Sequence, residues 1–180
     1  GGLEPHRAYE YKIGVNKGNK DTKSITDVPD FWPDSENVRN DMLDYAYEIE
    51  YFDHHLVKII SELEKNDLLD NTLIVVTSDN GMPFPRVKGQ VYPFDNHLPL
   101  AIRWGKGIKN PGRVINDYFS FSDFAPTFLE AAGLTEEENS MAPFSGKPWG
   151  AVFNDLPNPK PRKHVIIGKE RRDVGRVKDQ

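Results

Sequence analysis

The chain has 180 residues and a formal net charge of -5, with acidic and basic residues interspersed, which argues against nucleic acid as a partner because such domains carry a clustered basic face. That length suffices for one domain with a sizeable core, and no apolar run approaches the ~20 residues needed to cross a bilayer, so no membrane partner is expected. Cysteine is absent, which excludes disulfides from this segment and leaves the redox compartment open.

The chain opens on Gly1-Gly2-Leu3, neither an initiator sequence nor a signal peptide, and Glu4-Pro5-His6-Arg7 comes directly after. Residues 8–34 are polar, carry Gly14, Gly18, Pro29 and Pro33, and show no period, so they read as an irregular surface excursion whose Lys17, Lys20 and Lys23 are solvated. From Ser35 the spacing predicts a long helix. Val38, Met42, Tyr45, Ile49, Phe52, Leu56, Ile59 and Leu63 recur at steps of four and three, with Asp34 or Ser35 as cap. This stripe is expected to pack on a sheet, with Tyr47 and Tyr51 at its margins. His54 and His55, adjacent in a helix, point about 100° apart and are not expected to share one metal ion.

Thr72-Leu73-Ile74-Val75-Val76-Thr77 is an apolar, β-branched run that ends in Ser78-Asp79-Asn80-Gly81. It reads as a buried strand of a parallel sheet covered on both faces. Asp79 and Asn80 then lie at its carboxyl end, where ligands collect in open α/β sheets and where two oxygen donors can meet one hard cation. Gly81 frees the backbone, Met82-Pro83-Phe84-Pro85 forces an extended loop, and Arg86 and Lys88 bring positive charge near the cation, which implies a sulfate or phosphate group between them. The plainer reading is an Asn-Gly turn of a hairpin; the proline-broken loop after Gly81 speaks against it.

A second strand is predicted at Leu98–Trp104, with Pro99 confined to an edge or to the strand's start. His97, just before it, is either a substrate contact or an anchor of the loop. Gly105–Gly112 is turn-rich and lacks the spacing of a phosphate loop. Val114–Ser120 reads as extended, and Ser122 as the cap of a helix through Phe124, Phe128, Leu129 and Ala132 that stops at Gly133, with Pro126 in the first turn and Asp123 in a structural role. Residues 135–163 read as a long surface connection holding Glu136-Glu137-Glu138, Val165–Gly168 as a last strand, and Glu170, Arg171 and Arg172 as part of a solvated charge run.

Four strings together resemble the sulfatases of the alkaline-phosphatase-like superfamily: Glu4-Pro5-His6-Arg7, Asp70-Asn71-Thr72-Leu73, Thr77-Ser78-Asp79-Asn80-Gly81 and Ser122-Asp123-Phe124-Ala125-Pro126-Thr127. Asp79–Pro85 and the His6-Arg7 pair are most similar to the heparan N-sulfatase branch. The resemblance implies an α/β/α sandwich with a mostly parallel sheet, incomplete in this chain, and a hydrolase acting on a sulfated, glycosaminoglycan-type saccharide. It implies Ca2+, with Mg2+ compatible with the same oxygen donors, held by Asp79 and Asn80. Lys88 would contact the sulfate and His6 the sulfate or leaving group, with Arg86 and His97 as weaker substrate contacts.

The resemblance also implies parts that do not appear here. Family members use a formylglycine made in a Cys/Ser-x-Pro-x-Arg motif and a pair of aspartates near the amino terminus, and neither is in this sequence. The chain is therefore expected to be an interior-to-C-terminal piece, inactive alone, with residues 1–134 forming the C-terminal half of the catalytic core and 135–180 a connection and the start of a C-terminal subdomain. Export to a periplasm, the extracellular space or a lysosome is implied. Two other readings stay open: a metal-dependent phosphodiesterase or phosphonate hydrolase of the same superfamily, and a non-catalytic carbohydrate-binding remnant. Oligomeric state has no sequence signal.

Overall fold

Helix α1 takes up Glu36–Lys65, 30 residues, in a computed structural model of the protein that describes residues 22–134, 141–159 and 161–168. His6, Arg7, Lys17, Lys20, the acidic run 136–138 and residues 170–172 lie outside the described residues. By their contacts the residues fall into two compact units, Gly1–Asp67 and Leu68–Gln180.

In the first unit Ser35 caps α1, its hydroxyl accepting from the Val38 N–H at 3.4 Å. Asp34, the other expected cap, instead forms a two-pronged pair with Arg39 (2.6 and 2.8 Å), and that guanidinium also donates to the Ile25 carbonyl. The helix ends at Asn66, whose side-chain nitrogen reaches back to the Glu62 carbonyl. The stripe expected to be core is not fully buried anywhere: Ile49, Phe52 and Ile59 are 51%, 52% and 58% exposed and its other members are half-buried. Leu43 and Tyr47, one turn apart and off that stripe, are the buried residues of the helix. Periodicity marks which side of a helix is apolar, but a residue is buried only where another element covers it; the turn Thr22–Ser24 and Ile25 lie against α1.

The second unit holds two short strands, β1 (Ile74–Thr77) and β2 (Leu100–Arg103). They pair antiparallel, from Ile74 opposite Arg103 to Thr77 opposite Leu100. Parallel partners of β1 are not among the described residues; antiparallel edge strands on mostly parallel sheets are common in α/β folds. The strand expected over Leu98–Trp104 is shorter, beginning only after Pro99, whose carbonyl accepts from the Thr77 hydroxyl at 2.7 Å. Beyond β2 the chain is irregular through Ser120, so the extended segment expected at Val114–Ser120 joins no ladder.

A 3-10 turn (Phe121–Asp123) leads into helix α3 (Phe124–Ala131), after the short helix α2 (Pro93–Asn96) and before the short helix α4 (Gly150–Phe153). The cap here is Ser120 and not Ser122: Ser120 and Asp123 form a capping box around the turn. The stop at Gly133 is as expected. Gly133 sits at φ +73°, its N–H bonds the Glu130 carbonyl at 3.0 Å, and the Leu134 N–H bonds the Leu129 carbonyl at 2.9 Å, the Schellman pattern that a left-handed residue makes possible. Packing centres on Trp149, buried with Phe153 and set edge-on to Phe119 and Phe124 at ring-centroid distances of 4.8 and 5.2 Å. Val165–Gly168, expected as a strand, is irregular, with Ile166 93% exposed. Its apolar run has no neighbouring strand to pair with among the described residues.

The anchor of this unit is Asp123, 0% exposed. Its carboxylate accepts from the N–H of Ser120 (2.9 Å) and Lys147 (2.8 Å) and from both terminal nitrogens of Arg162, one at 2.6 Å. Burial alone would raise its pKa; the Arg162 guanidinium and the two N–H groups more than offset this and hold the carboxyl below its ordinary range. The clasp therefore adds stability that is fully present above the ordinary Asp value of about 4 and is lost as pH falls through the lower folded-state value. Removing one partner of a buried pair strands the other, so Arg162→Ala should cost about 3 kcal/mol in denaturant unfolding. Asp123→Asn should flatten the fall of Tm with acidification below about pH 4 relative to the unaltered protein.

Candidate functional site

Residues 78–99 join the ends of β1 and β2, and they carry five of the six candidate site residues. At the end of β1 the chain does not enter an Asn-Gly hairpin turn. The Ser78 hydroxyl donates to the Asn80 carbonyl at 2.6 Å, the Asn80 side-chain nitrogen donates to the Gly81 carbonyl at 2.8 Å, and the chain then runs on through a long loop. That loop is wound, not extended as the prolines implied. Phe84 N–H bonds Met82, Val87 N–H bonds Phe84 and Gln90 N–H bonds Val87, with Arg86 and Gly89 at φ 66° and 74° supplying the left-handed steps. Val87 is 0% exposed and plugs the coil from within.

Asp95 in α2, which carries no sequence signal, holds this loop together. Its carboxylate is buried and accepts the Gly81 N–H on one oxygen (2.9 Å) and the Gln90 N–H on the other (3.0 Å). The residue after Asn80 and the residue two beyond Lys88 are thus bound to one carboxylate. Gly81 is needed for close approach rather than for the freedom expected of it. A Cβ there would stand 2.2 Å from the Phe94 carbonyl oxygen and 2.6 Å from the Asp95 Cα. No spacing in the sequence flags Asp95, because its role exists only once the loop has closed.

The candidate groups themselves face outward. Asp79 is exposed and its carboxylate has no hydrogen bond or ion pair among the described residues; Asn80 is half-buried, with its side-chain nitrogen engaged and its side-chain oxygen free among the described residues. Arg86, Lys88 and His97 are exposed, and their side chains likewise have no hydrogen bond or ion pair among the described residues. His97 ends α2, its N–H bonded to the Pro93 carbonyl at 2.8 Å. Neither cation is consumed by Asp79, so carboxylate and cations both stay available to a ligand. His6, the sixth candidate, is outside the described residues.

Two unengaged oxygen donors on adjacent residues suit a hard cation such as calcium, which takes 6–8 oxygens. They are a part of such a shell. Among the described residues no group of three or more His, Cys, Asp or Glu is arranged to hold a metal. His54 and His55 on α1 are exposed, ring centroids 5.9 Å apart, and His55 packs edge-on to Tyr51. A cavity of about 380 Å³ lined by Leu73, Val75, Trp104, Phe128 and neighbouring alanines is mainly apolar and contains none of the candidate residues.

Residues 3–134 match the family model described as Sulfatase. Human N-sulphoglucosamine sulphohydrolase is 31% identical over 103 residues, covering 57% of this chain and 20% of that protein. Among solved structures, a phosphonate monoester hydrolase from Silicibacter pomeroyi superposes with a TM-score of 0.61 at 25% identity, covering 88% of this chain and 32% of the other. A structure in complex with its substrate D-glucosamine-2-N,6-O-disulfate superposes with a TM-score of 0.58 at 26% identity, covering 88% and 30%. The chain spans about a fifth to a quarter of the length of the curated relatives it matches. Its fold is that of the alkaline-phosphatase-like superfamily, and the chain belongs to the sulfatase family.

Proposed function

We propose that this chain supplies part of the active site of a calcium-assisted sulfatase that hydrolyses a sulfate ester or sulfamate on a sulfated saccharide of glycosaminoglycan type. The observation that carries the reading is the loop 78–99, which presents a carboxylate and a carboxamide oxygen at the end of β1 with two cations a few residues on, all without partners among the described residues. Asp79 and Asn80 would hold the metal; magnesium would use the same oxygens. Calcium, when bound, polarises the sulfuryl oxygens.

The remaining work falls to side chains of this chain. Lys88 binds sulfuryl oxygens and offsets the negative charge that grows as the bond to sulfur breaks, with Arg86 beside it as a planar donor suited to oxyanions. His6 protonates or stabilises the departing group, and His97 contacts the saccharide. The nucleophile is outside these residues, since no Cys/Ser-x-Pro-x-Arg motif occurs in the sequence; the family's formylglycine would supply it. The chain alone is accordingly inactive. Residues 1–134 belong to the catalytic core and 135–180 connect onward. A saccharide of this class places the protein in a periplasm, a lysosome or the extracellular space.

The likeness to a phosphonate monoester hydrolase favours a second reading, a metal-dependent phosphonate or phosphodiester hydrolase. Phosphoryl enzymes with two-metal sites need further His and Asp ligands; after Asn80 the only histidines are His97 and His164, and neither has the matching spacing. Parallel assays of the longest form of the protein on a sulfated glucosamine and on a phosphonate monoester separate the two, sulfate release being expected and faster phosphonate turnover refuting it. In the same protein Asp79→Ala should abolish turnover and weaken calcium binding. Lys88→Met should lower kcat/KM by about 10²-fold or more with calcium affinity little changed. Full activity in Asp79→Ala would contradict the metal assignment.

A further inference from the structure

We infer that Asp95 is the positioning residue of this site, a buried carboxylate that sets Asn80 and Lys88 in place by bonding the backbone around them. Gly81 lies at the centre of this arrangement, its peptide groups gripped on both sides. Its N–H donates to Asp95 at 2.9 Å and its carbonyl accepts from the Asn80 side-chain nitrogen at 2.8 Å. The bond from the Asn80 side-chain nitrogen to the Gly81 carbonyl fixes the rotation of the carboxamide, so the position of its oxygen depends on where Asp95 holds Gly81.

The other oxygen of Asp95 takes the Gln90 N–H at 3.0 Å, a group that also bonds Val87 at 3.1 Å. This fixes the end of the turn that carries Lys88. Asn96, the next residue, donates to the Gln90 carbonyl at 2.9 Å and doubles the tie. Asp95 is itself in α2, two residues before His97. A carboxylate suits the task because it presents two acceptor oxygens in one plane and accepts N–H bonds more strongly than a neutral group. Its partners among the described residues are the two loop amides, with no cation paired to it. Groups behind a metal ligand fix its orientation, and their loss typically costs 10–100-fold in metal affinity; the consequence for calcium rests on the function proposed above, whereas the closure of the loop does not.

The test uses the longest form of the protein that carries this chain, with two readouts. Amide hydrogen exchange resolved at single residues reports the loop, and calorimetric titration with calcium alone reports the site. In the unaltered protein the Gly81 amide, whose acceptor is Asp95, should exchange far more slowly than the Lys88 amide, which has no acceptor among the described residues. Asp95→Asn keeps the volume and one acceptor oxygen; Asp95→Ala removes both. Exchange at Gly81 should accelerate about tenfold or more, with the Lys106 amide, bonded to Asp70 elsewhere in the unit, unchanged. Calcium should bind about tenfold more weakly. Asp155→Asn, which breaks the Arg113 pair in the same unit, should leave calcium affinity alone and serves as the control for general loss of stability. Unchanged Gly81 exchange in both Asp95 variants, or, where the unaltered protein binds calcium, a calcium loss no larger than in Asp155→Asn, overturns the proposal. Should no variant fold, a Gly81 amide exchanging as freely as Lys88 in the unaltered protein overturns it alone. An unaltered protein that binds no calcium but whose Gly81 amide is released by Asp95→Asn would refute the calcium assignment of Asp79 and Asn80 and uphold the role of Asp95.

Discussion

Irregular backbone in this chain is held by buried carboxylates that accept main-chain N–H groups from separate segments. Loops cannot satisfy their own amides as a ladder does, and a buried amide without a partner is costly. Asp95 gathers Gly81 and Gln90; Asp123 gathers Ser120 and Lys147. Their environments then differ. Asp123 also faces the Arg162 guanidinium and is fully buried, a neutralised clasp linked to the Trp149 cluster through Thr127, whose hydroxyl bonds both the Asp123 carbonyl and the Trp149 N–H. Asp95 bonds loop amides, in the loop that carries the candidate chemistry. One device thus serves two ends, a framework joint and the shaping of a site.

Features legible in the sequence and features hidden from it divide along the same line. Local signals carry through to the structure: Ser35 caps α1, Gly133 ends α3 in the left-handed region, and Asp79 and Asn80 come just after the end of β1. Each depends on residues within a few positions. Features that depend on distant partners do not show in the sequence. The stripe on α1 is apolar, yet cover decides burial, and Leu43 and Tyr47 received it. Val165–Gly168 has strand composition and, among the described residues, no strand beside it. Asp95 and Arg162 look like ordinary charged residues until Gly81 and Asp123 arrive from 14 and 39 positions away.

Fold and chemistry also separate cleanly. A protein bound to a sulfated sugar and a phosphonate hydrolase superpose on this chain almost equally well, so architecture does not choose between them. The choice must come from the site. Among the described residues the loop offers one pair of oxygen donors with a lysine and an arginine, a set compatible with the proposed hard cation and tetrahedral oxyanion.

The geometry of that site arises from strand register plus one carboxylate. Pairing Thr77 with Leu100 fixes both ends of the loop side by side, and the Thr77 hydroxyl bonded to the Pro99 carbonyl tightens the mouth. Asp79 leaves from one side of this mouth and His97 returns to the other. Left to the register alone, the middle of a loop this long would sample many shapes, at an entropic cost to any ligand that must order it. Asp95 removes that freedom by drawing Gly81 and Gln90 onto one group, while Val87 fills the space they enclose. Arg86 and Lys88, on either side of Val87, stay outside with their charges in solvent. A buried valine flanked by two exposed cations is the product of a short turn whose centre is pulled inward, and it is how the loop can offer positive charge to an anion without packing a cation into the core.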